Sequence, residues 1–147
     1  MKPLCPEALN YLSDKRVGVL AVEMRDGAPH AATVHFCHVG EEPVFIFETS
    51  RHYRKAEPIL EGGEVRASFV VGFTEGPTEK TLQFDGTVRL LTEEDAHLRA
   101  AYLAKFPEKE AKAADPDNIF FRFVPTWWRF TDWGAPGGKT IYLSDEV

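Results

Sequence analysis

Three β-rich segments joined by two short turns constrain the fold more than any other feature of the chain. They occupy residues 17–24, 29–39 and 44–49. Asp26-Gly27 separates the first two segments, and Asp-Gly between apolar runs is a strong signal for a tight hairpin. A stretch that begins with Gly40 and ends with Pro43 separates the second and third. Connections this short join antiparallel neighbours, so the pattern predicts an antiparallel meander.

The rest of the chain continues this β-rich pattern around a few short helices. Further strands are predicted at residues 64–73, 80–91, 119–124, 128–131 and 139–143. Helices are predicted at residues 6–15, 54–60 and 92–106. Gly86, in the middle of a long strand, suggests a bulge or a close approach of two backbones. Without an internal repeat, the 147 residues predict one mainly β domain (α+β) over residues 1–147, a barrel with helices at its ends.

Net charge narrows the classes of partner. The chain carries a formal net charge of −6, which disfavours nucleic acid or an anionic membrane as a main partner. No apolar stretch is long enough to span a bilayer, and the first residues lack an apolar leader. Cys5 and Cys37 fit neither a metal-ligand spacing nor a disulfide framework. We therefore expect a cytoplasmic protein with reduced cysteines, no nucleic-acid partner and no membrane partner.

A basic pair that follows a strand is the strongest candidate for ligand binding. The strand that begins at Val44 turns through Thr49 and Ser50 and reaches Arg54 and Lys55, where a helical pattern starts. Hydroxyls, helix-terminal amides and two cations together suit a terminal phosphate. The sequence has no glycine-rich phosphate loop, so a solvated basic turn is the alternative interpretation.

Other chemical signals are weaker. His35 and His38 are three residues apart on a strand and therefore point to opposite faces, so no metal site is predicted. The sequence contains no nucleophile elbow and no dinucleotide loop, and we assign no catalytic residue. Aromatic residues clustered near residue 130 favour a core or a dimer interface. Trp133 lies in a Gly/Pro-rich loop and is the candidate for contact with a planar ligand.

Two passages carry a recognisable signature. The first runs through residues 32–36 and 44–50 and ends at Arg54-Lys55-Ala56. The second is Thr-Leu-Gln-Phe-Asp-Gly-Thr-Val at residues 81–88, followed by a helix that opens at Thr92. Together they resemble the pyridoxamine 5′-phosphate oxidase-like FMN-binding split-barrel family, over roughly residues 8–132, and look closest to a small, poorly characterised subgroup. The resemblance implies a six-stranded antiparallel split β-barrel with short flanking helices.

The resemblance also implies a homodimer with two FMN sites at the subunit interface. Thr81 and Gln83 match a strand that reaches the flavin from the other subunit. Trp133 is added as a candidate contact for the flavin ring because it lies in a loop. The positions that match phosphate contacts are Thr49, Ser50, Arg54 and Lys55, and those that match the strand along the isoalloxazine edge are Thr33, Val34 and His35. The leading hypothesis is a flavoprotein that passes hydride or electrons between FMN and an unidentified small molecule.

Three departures from the family pattern widen the choice of function. Ala32 stands where the family's oxidases usually carry an arginine, and Tyr53 stands where they carry a serine. The tryptophan-to-arginine segment that completes the oxidase site has no counterpart after Thr131. Pyridoxamine phosphate oxidation itself is therefore not expected, and a deazaflavin or haem could replace FMN. The alternatives are a non-catalytic dimer that sequesters or senses a flavin or haem, and a dimeric scaffold that binds nothing tightly.

Overall fold

The computed structural model describes residues 1–73 and 79–145, and the loop predicted at residues 74–78 lies outside them. Eight strands dominate the described residues: β1 Val17–Glu23, β2 Pro29–His35, β3 Cys37–Val39, β4 Val44–Ser50, β5 Val65–Gly72, β6 Lys80–Leu90, β7 Asn118–Asp132 and β8 Thr140–Leu143. The helices are α1 Pro6–Leu12, α2 Ala56–Leu60, α3 Ala96–Lys105 and α4 Glu110–Ala113, with short 3₁₀ turns at Glu93–Asp95 and Pro107–Lys109. The mainly β class and its short helices are as predicted.

All strands belong to one antiparallel sheet that curls into a split barrel. The order is β2-β1-β5-β6-β7-β4-β3, with β8 added beside β7. The two end strands, β2 and β3, are consecutive in the chain and are connected through Phe36. Phe36 is fully buried, and its amide donates to the Arg16 carbonyl at 3.0 Å rather than to a strand neighbour. The sheet therefore closes on itself through a bent segment, without a ladder between its ends.

This bend changes two predictions. The segment 29–39 is two strands rather than one, because Phe36 turns its side chain into the barrel and packs against Phe45 and Phe69. Its first half pairs with β1 and its second half with β4, so both predicted hairpins form, but the split at Phe36 keeps them from making one continuous three-stranded meander. The expectation of six strands is wrong for the same reason and because β8 adds a short edge strand.

A proline and a glycine share the one irregularity in the β6–β7 pairing. Strand β7 continues through Pro125, where the sequence predicts an interruption, because Pro125 lies opposite Gly86 at a register shift where ladder bonds are already lost. A side chain at Gly86 would collide with the Val124 carbonyl. The close backbone approach predicted at Gly86 is therefore confirmed.

Strand β4 is covered on both faces, which matters for the site. Phe45 and Phe47 point into a phenylalanine-rich barrel core. On the opposite face, Ile46 joins a second apolar cluster under α3, formed with Cys37, Leu98, Tyr102 and Phe106. Because side chains alternate along a strand, Glu48 falls on the α3 face as well. Its burial there, at 3% side-chain exposure, puts a carboxylate beneath the helical layer.

Candidate functional site

Glu48 lies at the centre of a cationic site where β4 meets the 107–113 helical segment. Its Oε1 atom lies 3.6 Å from Lys109 Nζ and 3.4 Å from Lys112 Nζ. Its Oε2 atom accepts a 2.7 Å hydrogen bond from the Asn118 amide, which also donates to the Lys112 carbonyl at 2.6 Å. Asn118 thus fixes α4 against the end of β4. Among the residues that the structure describes, only side chains hold this carboxylate, and no backbone amide donates to it.

Lys55 brings a third ammonium group to this site. The residue is only 8% exposed, and its Nζ atom lies 4.8 Å from the centre of the Tyr53 ring. Among the described residues, no carboxylate lies within 4.0 Å of this ammonium. Burial lowers the pKa of Lys55, Glu48 opposes that shift, and Lys112 adds to it. We call Lys55, Lys109 and Lys112 the lysine cluster.

Aromatic groups and a histidine border the lysine cluster. Lys109 Nζ donates to the Tyr102 hydroxyl at 3.1 Å and lies 5.1 Å from the centre of the Phe106 ring. The exposed His35, at the end of β2, meets the same Phe106 ring edge-on at 5.6 Å. Burial and then the charges of Lys109 and Arg16 lower the pKa of His35, which favours its neutral form. The site therefore extends from the end of β4 to the end of β2.

The four residues predicted to hold a phosphate do not converge within the chain. Thr49 points inward, and its hydroxyl is buried without a hydrogen-bond partner. Ser50 Oγ accepts the His52 amide at 3.3 Å. Arg54 is exposed and lies in a surface depression beside the β1–β2 turn, whereas Lys55 turns inward toward Glu48. The helix α2 starts at Ala56 and has five residues, so its dipole adds little.

Apart from His35, the residues predicted near the flavin ring lie away from the lysine cluster. Thr33 is exposed on the outer face of the barrel, whereas Val34 belongs to the core. Thr33 pairs with Val19 on β1, and Val19 pairs with Val70 on β5. Val70 in turn pairs with Gln83 on β6. Gln83 Oε1 accepts a 3.0 Å hydrogen bond from Arg129 on β7. These residues form a continuous row across the outer face.

Thr81 and Trp133 lie toward one end of the outer face. The Thr81 hydroxyl is buried and has no hydrogen-bond partner within residues 1–73 and 79–145. The Trp133 amide donates to the Glu79 carbonyl at 3.1 Å, and Lys139 Nζ lies 5.4 Å from its ring centre. The Trp133 side chain is half-buried in its loop, so it is neither a core residue nor a free one.

Sequence reasoning missed the central members of the site. Glu48, Lys109, Lys112 and Asn118 were part of a strand end or of a charged segment that looked like an exposed connection. The one available signal was Glu48, which directly follows the apolar run at residues 44–47. A glutamate is unusual at a buried position. In the described residues, no group of His, Cys, Asp and Glu could hold a metal ion. The described helices include none that is long and apolar enough to cross a membrane.

A curled antiparallel sheet whose end strands are joined through a bend is the architecture of the split-barrel class of proteins. Residues 4–132 match the family described as pyridoxamine 5′-phosphate oxidase. The chain belongs to this family, as the sequence resemblance indicated. No curated protein matches the sequence.

Solved structures support the same fold at low sequence identity. A heme binding protein from Mycobacterium smegmatis superposes with a TM-score of 0.73 at 19% identity, over 94% of this chain but only 57% of that protein. A FAD-binding protein from Mesorhizobium loti gives 0.66 at 20% identity, over 84% and 89% of the two chains. A Clostridium acetobutylicum protein related to general stress protein 26 gives 0.66 at 12% identity, over 92% and 91%.

Proposed function

We propose that the protein binds FMN as a homodimer and acts as an oxidoreductase on an unidentified small molecule. The observation that carries this proposal is Lys55, a residue that is only 8% exposed and whose ammonium has no carboxylate within 4.0 Å among the described residues. A buried cation is costly unless something compensates its charge. Lys55 also stands where the family resemblance expects the flavin phosphate. A phosphate at this position would supply the missing negative charge.

The residues of the site fit a phosphorylated flavin, but the main contact with the phosphate passes from Arg54 to Lys55. Lys55 and its neighbouring lysines would meet the phosphate, while Arg54 would contribute only at a distance from its exposed position. Thr33 and His35 would border the ring from the end of β2. Bound FMN would supply the hydride or electron chemistry, and the protein would hold its phosphate and orient its ring. The substrate is not defined by these residues.

We expect a second copy of the chain to be the partner at this site. Val17, Val19 and Phe73 are large apolar residues with exposures of 42%, 43% and 62%, and such a patch favours an interface. Three strand spacings separate Thr33 from Gln83, about 14 Å in a regular sheet. A ring bound beside Thr33 would therefore meet Gln83 more readily from a partner subunit. We expect a two-fold dimer with the outer face at its centre.

The absorption spectrum of freshly purified protein, with mass spectrometry of the released ligand, tests this function. Flavin absorbance, an FMN mass and a dimer by light scattering are expected. Bleaching by NADH or NADPH with multiple turnovers would support the oxidoreductase over a non-catalytic flavin carrier. A colourless protein that does not bind added FMN, or a stable monomer at micromolar concentration, would contradict the proposal. A deazaflavin mass would keep the site and change the cofactor.

Sequestration of haem is a second candidate, and His35 favours it. Haem iron takes a neutral imidazole as an axial ligand. His35 is an accessible residue at the end of β2, and the lowered pKa of its imidazole favours the neutral form. A Soret band that is lost in His35→Ala would establish this function. Haem binding that is unaffected by His35→Ala would remove the observation on which it rests.

A further inference from the structure

The lysine cluster carries more positive charge than its surroundings neutralise. Three ammonium groups face one carboxylate, Glu48, which leaves an excess of two positive charges. Glu108, an acid on the 107–113 segment that acts on Lys109, is already paired with Arg16 at 2.8 Å. Burial lowers the pKa of Lys109 as it does that of Lys55, although Glu48 partly opposes both shifts. An excess of two positive charges matches the charge of a phosphate monoester.

The contacts of Glu48 suggest that this carboxylate can be displaced by a stronger anion. Its ion pairs with Lys109 and Lys112, at 3.6 and 3.4 Å, are longer than the 2.7–2.9 Å typical of charge-assisted hydrogen bonds. Its one short bond comes from the neutral Asn118 amide. A phosphate presents more acceptor oxygens than a carboxylate and carries up to twice its charge. Lysine, a mobile point charge, can turn from one anion to the other without a fixed geometry.

We propose that the lysine cluster is a subsite for a phosphate dianion and that Glu48 competes with the dianion for it. This inference rests on the proposed function for its natural ligand, the phosphate of FMN, and it gives Glu48 a role in binding that phosphate. Glu48 acts as an internal stand-in that stabilises the cluster while the subsite is empty. The carboxylate therefore lowers anion affinity in exchange for stability of the unliganded protein.

Thermal unfolding in the presence of inorganic phosphate tests the competition directly, without a flavin. Glu48→Gln should unfold at a lower temperature than the native protein in phosphate-free buffer, because three ammonium groups are then uncompensated. Its affinity for phosphate should increase by about tenfold or more, seen as a larger rise in unfolding temperature with added phosphate. Adding Lys112→Met to this variant should remove most of the gain. Lys112 is 56% exposed, so this change is tolerated structurally.

Glu23→Gln is the matched control. Glu23 pairs with Arg66 on a different surface, so this variant makes the same change of net charge away from the lysine cluster. Its phosphate response should equal that of the native protein. An equal response from Glu48→Gln would overturn the proposed competition. If Glu48→Gln does not fold, Lys112→Met in the native background decides the matter, because an unchanged phosphate affinity there would also overturn the subsite.

Parallel titrations with FMN and riboflavin separate this inference from the proposed function. Tight flavin binding by the native protein, with no added phosphate response in Glu48→Gln, would overturn the subsite and keep the flavoprotein. Phosphate binding that depends on the lysine cluster, with no binding of either flavin, would support the subsite as a site for free phosphate and overturn the flavin proposal. A gain in FMN affinity but not in riboflavin affinity in Glu48→Gln would support both.

Discussion

Two buried carboxylates, Asp95 and Glu48, sit under the same helical layer and are held in opposite ways. Asp95 accepts the Thr92 amide at 2.9 Å and ion pairs with Arg89 at 3.1 Å and Arg122 at 3.4 Å. Glu48 has no backbone donor, and its partners are flexible lysines and one amide. Their side chains are similarly buried, at 7% and 3% exposure. Burial alone therefore does not distinguish a structural acid from one at a binding site.

The two acids differ in whether a bound ligand could take over their role. The capping box of Thr92 and Asp95 starts the 3₁₀ turn before α3, so Asp95 satisfies a backbone group that nothing else reaches. The arginines bind it from β6 and β7 and thereby connect the helix to the sheet. Glu48 neutralises charge but satisfies no backbone donor. A bound anion could take over the role of Glu48, whereas no ligand could take over that of Asp95.

The largest effect that follows from this contrast is on stability. Asp95→Asn should lower the free energy of unfolding by about 3 kcal/mol, because it removes the counter-charge of two partly buried guanidinium groups. Urea unfolding measures this loss. Glu93→Gln, an exposed acid in the same turn, is the control and should stay within about 0.5 kcal/mol of the native protein. A loss below 1 kcal/mol for Asp95→Asn would mean that the ion pairs contribute little.

At the Glu48 site, the expected effect is on ligand affinity. Lys55→Met should weaken FMN binding by about 10- to 100-fold, because it removes a charge-assisted contact to the phosphate. Riboflavin lacks the phosphate, so its weaker binding should be unchanged. The exposed Arg54→Ala is the matched basic control and should have a smaller effect. If Arg54→Ala weakens FMN more than Lys55→Met does, the phosphate lies on the outer side of α2 and not in the lysine cluster.

A smaller loss of stability is expected for Glu48→Gln. In phosphate-free buffer it should cost about 1–2 kcal/mol, since longer ion pairs to mobile lysines are lost and the Asn118 contact can be kept by the amide. Combining it with Lys55→Met should recover part of this cost, because one buried ammonium is removed. Urea unfolding of the two variants and their double mutant gives the coupling. Strictly additive losses would show that Glu48 and Lys55 do not interact.

The smallest expected effect is the acid dependence of the Asp95 contribution. Burial opposes ionisation of Asp95, but the Thr92 amide and the two arginines outweigh it and hold its pKa below the usual range. Because the folded pKa is the lower one, the stabilisation is complete above the unfolded pKa of about 4 and is lost as pH falls through the folded pKa. The gap between native protein and Asp95→Asn should therefore narrow below about pH 4. A gap that stays constant down to pH 2 would contradict this linkage.

Local patterns in the sequence were enough to define most of the secondary structure. The Asp26-Gly27 turn needs only a residue that tolerates positive φ, and Gly27 adopts +84°. The capping residue Thr92 and the carboxylate three positions later determine where the α3 layer begins, again through neighbours in the chain. The strands were visible because alternation along a half-buried strand is a local signal. Family membership followed from the same passages.

Long-range packing decided the candidate site. The bend at Phe36 arises because that side chain fills the barrel core, a contact that no pattern within residues 29–39 reveals. Glu48 and Asn118 are 70 residues apart and meet only because β4 pairs with β7. The Lys109 and Lys112 side chains look like solvated charges until α4 is placed against β4. A charge cluster assembled from distant segments has no period in the sequence that could reveal it. The basic pair at residues 54 and 55 was visible from the sequence because its members are neighbours in the chain. The direction in which each of the two side chains points was set by the tertiary structure.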